Sequence, residues 1–117
     1  MKVEELRIGN WVFNDRVKNR IENLLSDGIC TLKTPQGNFI HAQYSLIQPV
    51  PLTGEILIKA GFELFPWGYV FNGILLHHNH KGKFWIELGN GKRINLDYVH
   101  DLQNFFVLTS EELEIKL

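Results

Sequence analysis

Residues 69–96 read YVFNGILLHHNHKGKFWIELGNGKRINL, and how this stretch alternates decides the fold. Short runs rich in Val, Ile, Phe, Tyr and Trp, separated by Gly and Asn, read as strands joined by tight turns. A first strand is expected from about Tyr69 to Asn79, a second from Phe84 to Leu88 and a third from Lys92 to Leu96. Lys81-Gly82 offers a two-residue turn, and Gly89-Asn90-Gly91 a three-residue loop. With these connections Ile86 lies opposite both His77 and Ile94, Leu88 opposite Leu75, and Phe84 opposite Leu96. Phe71, Leu75, Phe84, Ile86, Leu88, Ile94 and Leu96 then share one face. A two-residue loop at Asn90-Gly91 would split this set, because a one-residue slip turns every side chain to the other side. The expectation is a three-stranded antiparallel meander across 67–97 with one apolar face.

On its C-terminal side, Val99, Leu102, Phe105 and Phe106 recur at helical spacing and predict an amphipathic helix over Tyr98 to Leu108. Thr109-Ser110-Glu111-Glu112 resembles a cap or turn. Leu113 to Leu117 alternates and could add an edge strand. On the N-terminal side, Pro49-Val50-Pro51 marks an internal boundary, since proline cannot sit in a central strand. Thr53 is placed to cap a short helix by accepting from an amide near Glu55 or Ile56, with Gly61 as its stop and Phe62 folding back.

Residues 1–50 read as four or five short strands. Gly9-Asn10 interrupts the first, Leu6 to Phe13, and suggests a bulge. Val17 to Leu25, Ile29 to Leu32 and Phe39 to Ile47 follow, separated by Asn14-Asp15, Asp27-Gly28 and Pro35-Gln36-Gly37-Asn38. The spacing resembles a small antiparallel SH3-like barrel. The fold class is thus α+β: a barrel-like sheet, a helix, a three-stranded meander and a C-terminal helix. The chain is expected to form one domain over 1–117, with subdomains over 1–50 and 51–117.

The bulk numbers agree with a folded domain. The chain has 117 residues, 44% hydrophobic and 21% charged, enough apolar material for one core without disulfides. Twelve Lys and Arg against 13 Asp and Glu give no basic surplus of the kind nucleic-acid binders usually carry. Cys30 is the only cysteine, which excludes an internal disulfide and a cysteine-rich zinc site. The first residues lack a signal-peptide pattern and no apolar run is long enough to span a bilayer, so a cytoplasmic protein without membrane partners is expected.

His77-His78-Asn79-His80 is the one cluster that could carry chemistry. In a strand His78 and His80 share a face, and across the hairpin that face gains Trp85 and Glu87. Two imidazoles and a carboxylate could hold a zinc-like ion, although no spaced ligand motif accompanies them. Solvated histidines at a hairpin tip are the simpler account, with His77 at the core edge. Cys30 sits in an apolar run distant from its candidate bases His41 and His100, and reads as a small hydrophobe. Neither a phosphate loop nor a converging carboxylate pair is present, and Glu111, Glu112 and Glu114 read as a solvated face. No cofactor is implied. The aromatics, by contrast, are numerous. Trp85, with Lys83 and Arg93, lies opposite the expected core, where it could anchor a partner or stack on a base, or be covered by a second layer.

Three groups of words are familiar together: Glu5-Leu6-Arg7-Ile8-Gly9-Asn10-Trp11-Val12, then Pro49-Val50-Pro51-Leu52-Thr53 with Leu57 and Gly61-Phe62, and Tyr98-Val99-His100-Asp101-Leu102-Gln103-Asn104-Phe105-Phe106 ahead of Leu108-Thr109 and Glu112-Leu113. Their order resembles a family of small uncharacterised proteins from bacterial and phage or prophage genomes. The resemblance implies a phage-linked accessory or interaction role and supplies no catalytic residue. The histidine cluster lies outside its words.

These readings rank the functions. A non-enzymatic binding or assembly module comes first, with a protein partner or self-association, and Trp85, Lys83, Arg93, His78, His80 and Glu87 as its binding residues. A nucleic-acid-binding domain using Arg7, Arg16, Lys18 and Arg20 comes second. A metal-dependent hydrolase at His78, His80 and Glu87 comes third.

Overall fold

The computed structural model describes residues 1–25, 27–108 and 113–117 and is α+β, with two antiparallel five-stranded sheets and two helices. The first sheet is built from β1 (Trp11–Asn14), β2 (Val17–Leu24), β3 (Ile29–Lys33), β4 (Phe39–Gln43) and β5 (Ile47–Pro49), in the order β4-β3-β2-β1-β5. Its turns follow local chemistry. Asp27 and Gly28 both take positive φ (65° and 74°), the conformation an Asp-Gly turn supplies. Gly9 takes φ 93°, its N–H donates to the Ile21 carbonyl, and the Ile21 N–H donates to Asn10, so two residues face one in a bulge. A 3-10 turn, Tyr44–Leu46, carries the chain from β4 to β5. The strands form an open sheet with β4 and β5 at its ends, rather than the closed barrel-like form expected from the spacing.

Helix α1 (Gly54–Lys59) begins as expected, with the Thr53 hydroxyl accepting from the Ile56 N–H at 3.3 Å. Gly61 ends it at φ 105°. The second sheet contains β6 (Glu63–Phe65), β7 (Gly68–Phe71), β8 (Ile74–His78), β9 (Phe84–Glu87) and β10 (Arg93–Asn95), in sequential order. Helix α2 (Val99–Leu108) closes the chain, burying Val99, Leu102 and Phe106.

The meander differs from expectation in three ways. The long strand from Tyr69 to Asn79 is a hairpin, turning at Asn72-Gly73 with φ 48° and 79°, and β6 adds a fifth strand. The β8–β9 hairpin is also one residue out of the expected register. His77 faces Trp85 and His78 faces Phe84, so Ile86 is not opposite His77. The Asn79 carboxamide oxygen accepts from the N–H groups of Lys81 and Lys83 at 2.9 and 3.2 Å, while Gly82 takes φ 75°. This is a three-residue loop, a turn followed by a left-handed glycine, in place of the two-residue Lys81-Gly82 turn. The slip puts Leu76 rather than Leu75 in the core with Phe84, Ile86 and Leu96. The β9–β10 register is as expected, with Ile94 opposite Ile86, yet Ile94 on the edge strand and Leu88 beyond β9 are exposed.

Each sheet has its own core. Leu6, Val12, Ile21, Cys30, Leu32, Tyr44 and Ile47 fill the first. Val50, Leu52, Leu57, Phe62, Leu76, Phe84, Ile86, Leu96, Val99, Leu102, Phe106 and Ile115 fill the second. Strand β1 serves both, because Val12 points into the first core while Trp11 and Phe13 pack against the second. A polar clamp reinforces that junction. The Asn10 amide donates to the side-chain oxygens of Asn104 (3.0 Å) and Gln103 (3.4 Å), and its own oxygen accepts from the Arg7 N–H at 2.7 Å. The Gln103 oxygen accepts from the Trp11 N–H, and its amide donates to the Gly9 carbonyl, both at 3.0 Å. Asn104 donates to Glu5. The tail is not an edge strand: it lies over this junction in irregular form, with Ile115 buried and its carbonyl accepting from Trp11 Nε1 at 2.9 Å. The expected cap at Thr109 to Glu112 lies outside the described residues.

His100 is also buried in this half, with Nε2 3.5 Å from the Asp101 carboxylate. Burial pushes its pKa below the ordinary 6.5, opposed by Asp101 and Glu5. The unfolded chain therefore takes up a proton as pH falls below about 6.5, while the folded chain resists it. Stability should be full above pH 6.5 and decline below it, by at most about 1.4 kcal/mol per pH unit from this group. Urea unfolding at a series of pH values checks this; His100→Gln should flatten that part of the profile.

Candidate functional site

The outward face of the second sheet follows from alternation about β9. Phe84 and Ile86 point into the core, which turns Trp85 and Glu87 out. Register then brings His77 of β8 and Asn95 of β10 beside Trp85, and Arg93 beside Glu87. Its neighbours on the sheet pack against Trp85. The His77 ring stacks near-parallel to it at 5.8 Å, and the Arg93 guanidinium sits 5.0 Å from the centre of the indole. His77 Nε2 is 3.9 Å from Glu87, and Lys83 is 3.8 Å from Asp97.

These residues border a polar cleft of about 310 Å³ lined by Asn79, Lys83, Trp85, Arg93, Asn95 and Asp97. The indole Nε1 is buried without a hydrogen-bond acceptor among the described residues. A buried donor left unpaired is costly, by about 1–3 kcal/mol, and native structures rarely carry one without reason. Around it stand two cations and two carboxamides, and the oxygen of Asn79 is already committed to its turn. The cleft is thus rich in donors, with Asp97 as its single carboxylate.

Sequence reasoning placed Trp85, Lys83, Arg93 and Glu87 on this side, and the structure gathers them there. It does not bring His78 to them. The slipped register turns His78 toward Phe84 and Tyr69, with ring centres 6.4 and 5.2 Å away, and seats His77 next to Trp85 instead. His80 lies in the loop. The triad of His78, His80 and Glu87 is therefore not assembled, and among the described residues no three His, Cys, Asp or Glu side chains converge in a metal-binding group. Cys30 is fully buried, and burial raises its thiol pKa; the residue opposite it on β4 is Ala42, so His41 points the other way. Asn79, Asn95 and Asp97 are the members missed by sequence. The spacing of Asn79 and Gly82, a turn signature, was the signal that could have found the first.

No family model, no curated protein and no solved structure matches the chain.

Proposed function

We propose that the protein is a non-enzymatic binding module that holds a partner protein by an acidic segment laid across the outward face of the second sheet. The observation that carries this reading is a cleft lined by Trp85, Lys83, Arg93, Asn79 and Asn95, beside which the indole N–H of Trp85 is buried without an acceptor among the described residues. A carboxylate entering the cleft replaces Asp97 as the partner of Lys83 and accepts from Nε1 once the side chains over that atom move aside. Charge-assisted hydrogen bonds of this kind are about twice as strong as neutral ones. The indole flanked by an imidazole and a guanidinium is a rigid anchor of the sort that dominates interface energies.

The finer features of the reading belong here too. The strand order β4-β3-β2-β1-β5 and the 3-10 turn before β5 support an SH3-like assignment for the first sheet, a scaffold that hosts many unrelated functions. The shared sequence words support a cytoplasmic accessory role linked to phage or prophage. Two of these words meet in the fold: Gly9, Asn10 and Trp11 of one are hydrogen-bonded to Gln103 and Asn104 of another. Exposed Trp67, stacked on Phe65 at 5.1 Å, supports self-association as a further mode.

The test is the indole N–H region of a ¹H–¹⁵N spectrum during titration with capped hexaglutamate, with Trp85→Phe assigning the resonance. The Trp85 signal should move while that of Trp11, bonded to Ile115, stays in place. Arg93→Glu should abolish the change. A Trp85 signal that is still at millimolar peptide refutes the proposal.

A further inference from the structure

The two sheets expose different chemistry. Strand register sets Phe39, Lys33, Arg20 and Trp11 in one row across β4, β3, β2 and β1, with all four side chains on the face away from the first core. Lys18 lies two residues from Arg20 on the same face, about 7 Å along the strand. Phe13 is opposite Lys18, and His41 neighbours Phe39 on β4. Phe39 is 60% exposed, unusual for a ring that no core contact requires there. Among the described residues, no carboxylate lies within ion-pair distance of Lys18, Arg20 or Lys33. The Arg20 guanidinium is held 5.2 Å over the Trp11 ring, which fixes its position.

Beyond Phe13 the face runs into a cleft of about 350 Å³ between the first sheet and α1. Phe13, Val50 and Ile56 supply apolar lining, and Lys18, Lys59 and Lys116 supply cations. Glu55, 3.9 Å from Lys59 on the helix surface, also lines this cleft, and Glu22 lies two residues from Arg20 at the irregularity of β2. Arg16 lies at the other side of Phe13, whereas Arg7 contributes through its backbone to the Asn10 clamp.

We infer that this face binds single-stranded nucleic acid, with phosphates along Lys18, Arg20 and Lys33 and a base stacked on Phe39. Charge complementarity selects a polyanion. The exposed ring in the same row as the cations selects an unpaired base, since a base within a duplex has no face to offer. An acidic peptide would use the cations and leave Phe39 without a role. This site is separate from the Trp85 cleft and stands whether or not that cleft takes a protein partner.

The experiment is fluorescence anisotropy of a labelled dodecathymidylate against the full chain, starting at about 50 mM salt, where non-specific phosphate contacts are readily detected. Binding should weaken with salt at a log–log slope near −2, as about 0.7 per phosphate for three contacts requires. Lys18→Glu and Lys33→Glu should each weaken binding about tenfold, and Phe39→Ala by about 5-fold to 150-fold, the range for one stacked base. Arg93→Glu should leave it unchanged. These exposed positions permit unfolding midpoints to confirm that the variants fold. Absence of binding at 50 mM salt, equal loss in Arg93→Glu, or an unaltered affinity in Phe39→Ala overturns the inference. So does capped hexaglutamate competing at the same face with equal affinity.

Discussion

Replacing Gln103 with alanine should lower the stability of the fold by about 3 kcal/mol, although the residue is not among those proposed to contact a ligand. The change removes the acceptor of the Trp11 N–H and the donor to the Gly9 carbonyl, and it takes one of two acceptors from the Asn10 amide. These groups are shielded at the junction of the sheets, where an unpaired donor or acceptor costs about 1–3 kcal/mol. Asn10→Ala should cost about as much, because Asn10 is 2% exposed and joins Arg7 to Asn104. Combining the two should cost clearly less than the sum, since both remove parts of one network. Urea midpoints of the four proteins of the cycle measure this. Strict additivity would show that the clamp contributes only independent local bonds.

A still larger loss is expected from Gly68→Ala. Gly68 follows the turn between β6 and β7 at φ 146°, a conformation that side chains rarely adopt. A methyl group there would overlap the Leu76 carbonyl oxygen and lie 3.0 Å from Leu75 Cδ1. The carbonyl belongs to β8, the neighbour of β7, and cannot yield without breaking the hairpin. Strain and clash together should cost about 4 kcal/mol or more, among the largest single-substitution effects. Gly73→Ala is the control. It too has positive φ, 79°, but meets nothing within 4 Å, so its cost should be the left-handed penalty alone, about 1–2 kcal/mol. Equal midpoints for the two variants would refute the clash as the cause.

What sequence reading captured was local. Thr53 capping α1, Gly61 ending it, the Asp27-Gly28 turn and the Val99, Leu102, Phe106 stripe each depend on a few neighbouring residues. The β8–β9 register depends on the length of one loop. Lys81-Gly82 looked sufficient as a turn, but the Asn79 side chain recruits the amides of Lys81 and Lys83 and lengthens it by one residue. That single residue exchanged Leu76 for Leu75 in the core and His77 for His78 beside Trp85. Asn72-Gly73 is a turn pair, but the apolar residues around it read as a continuous strand. The tail alternates like a strand, but the Trp11 indole 104 positions away claims the Ile115 carbonyl, and no local pattern encodes such a contact. Of the candidate site, Trp85, Lys83 and Arg93 were legible from alternation alone. The row of Phe39, Lys33 and Arg20 was not, since it needs the register of three strands at once.

The clamp between Gly9-Asn10-Trp11 and Gln103-Asn104 also governs how the chain is born. Ribosomes deliver residues 1–49 before α2, so the strands of the first sheet can pair while that helix is still unmade. During that interval Trp11 and Phe13 have nothing from the second core to lie against, and Asn10 faces water. A nascent chain stalled before Gln103 would therefore present a greasy strip of β1 to chaperones and to sister chains on the same message. Synthesis of α2 and of the segment that carries Ile115 is what retires that strip.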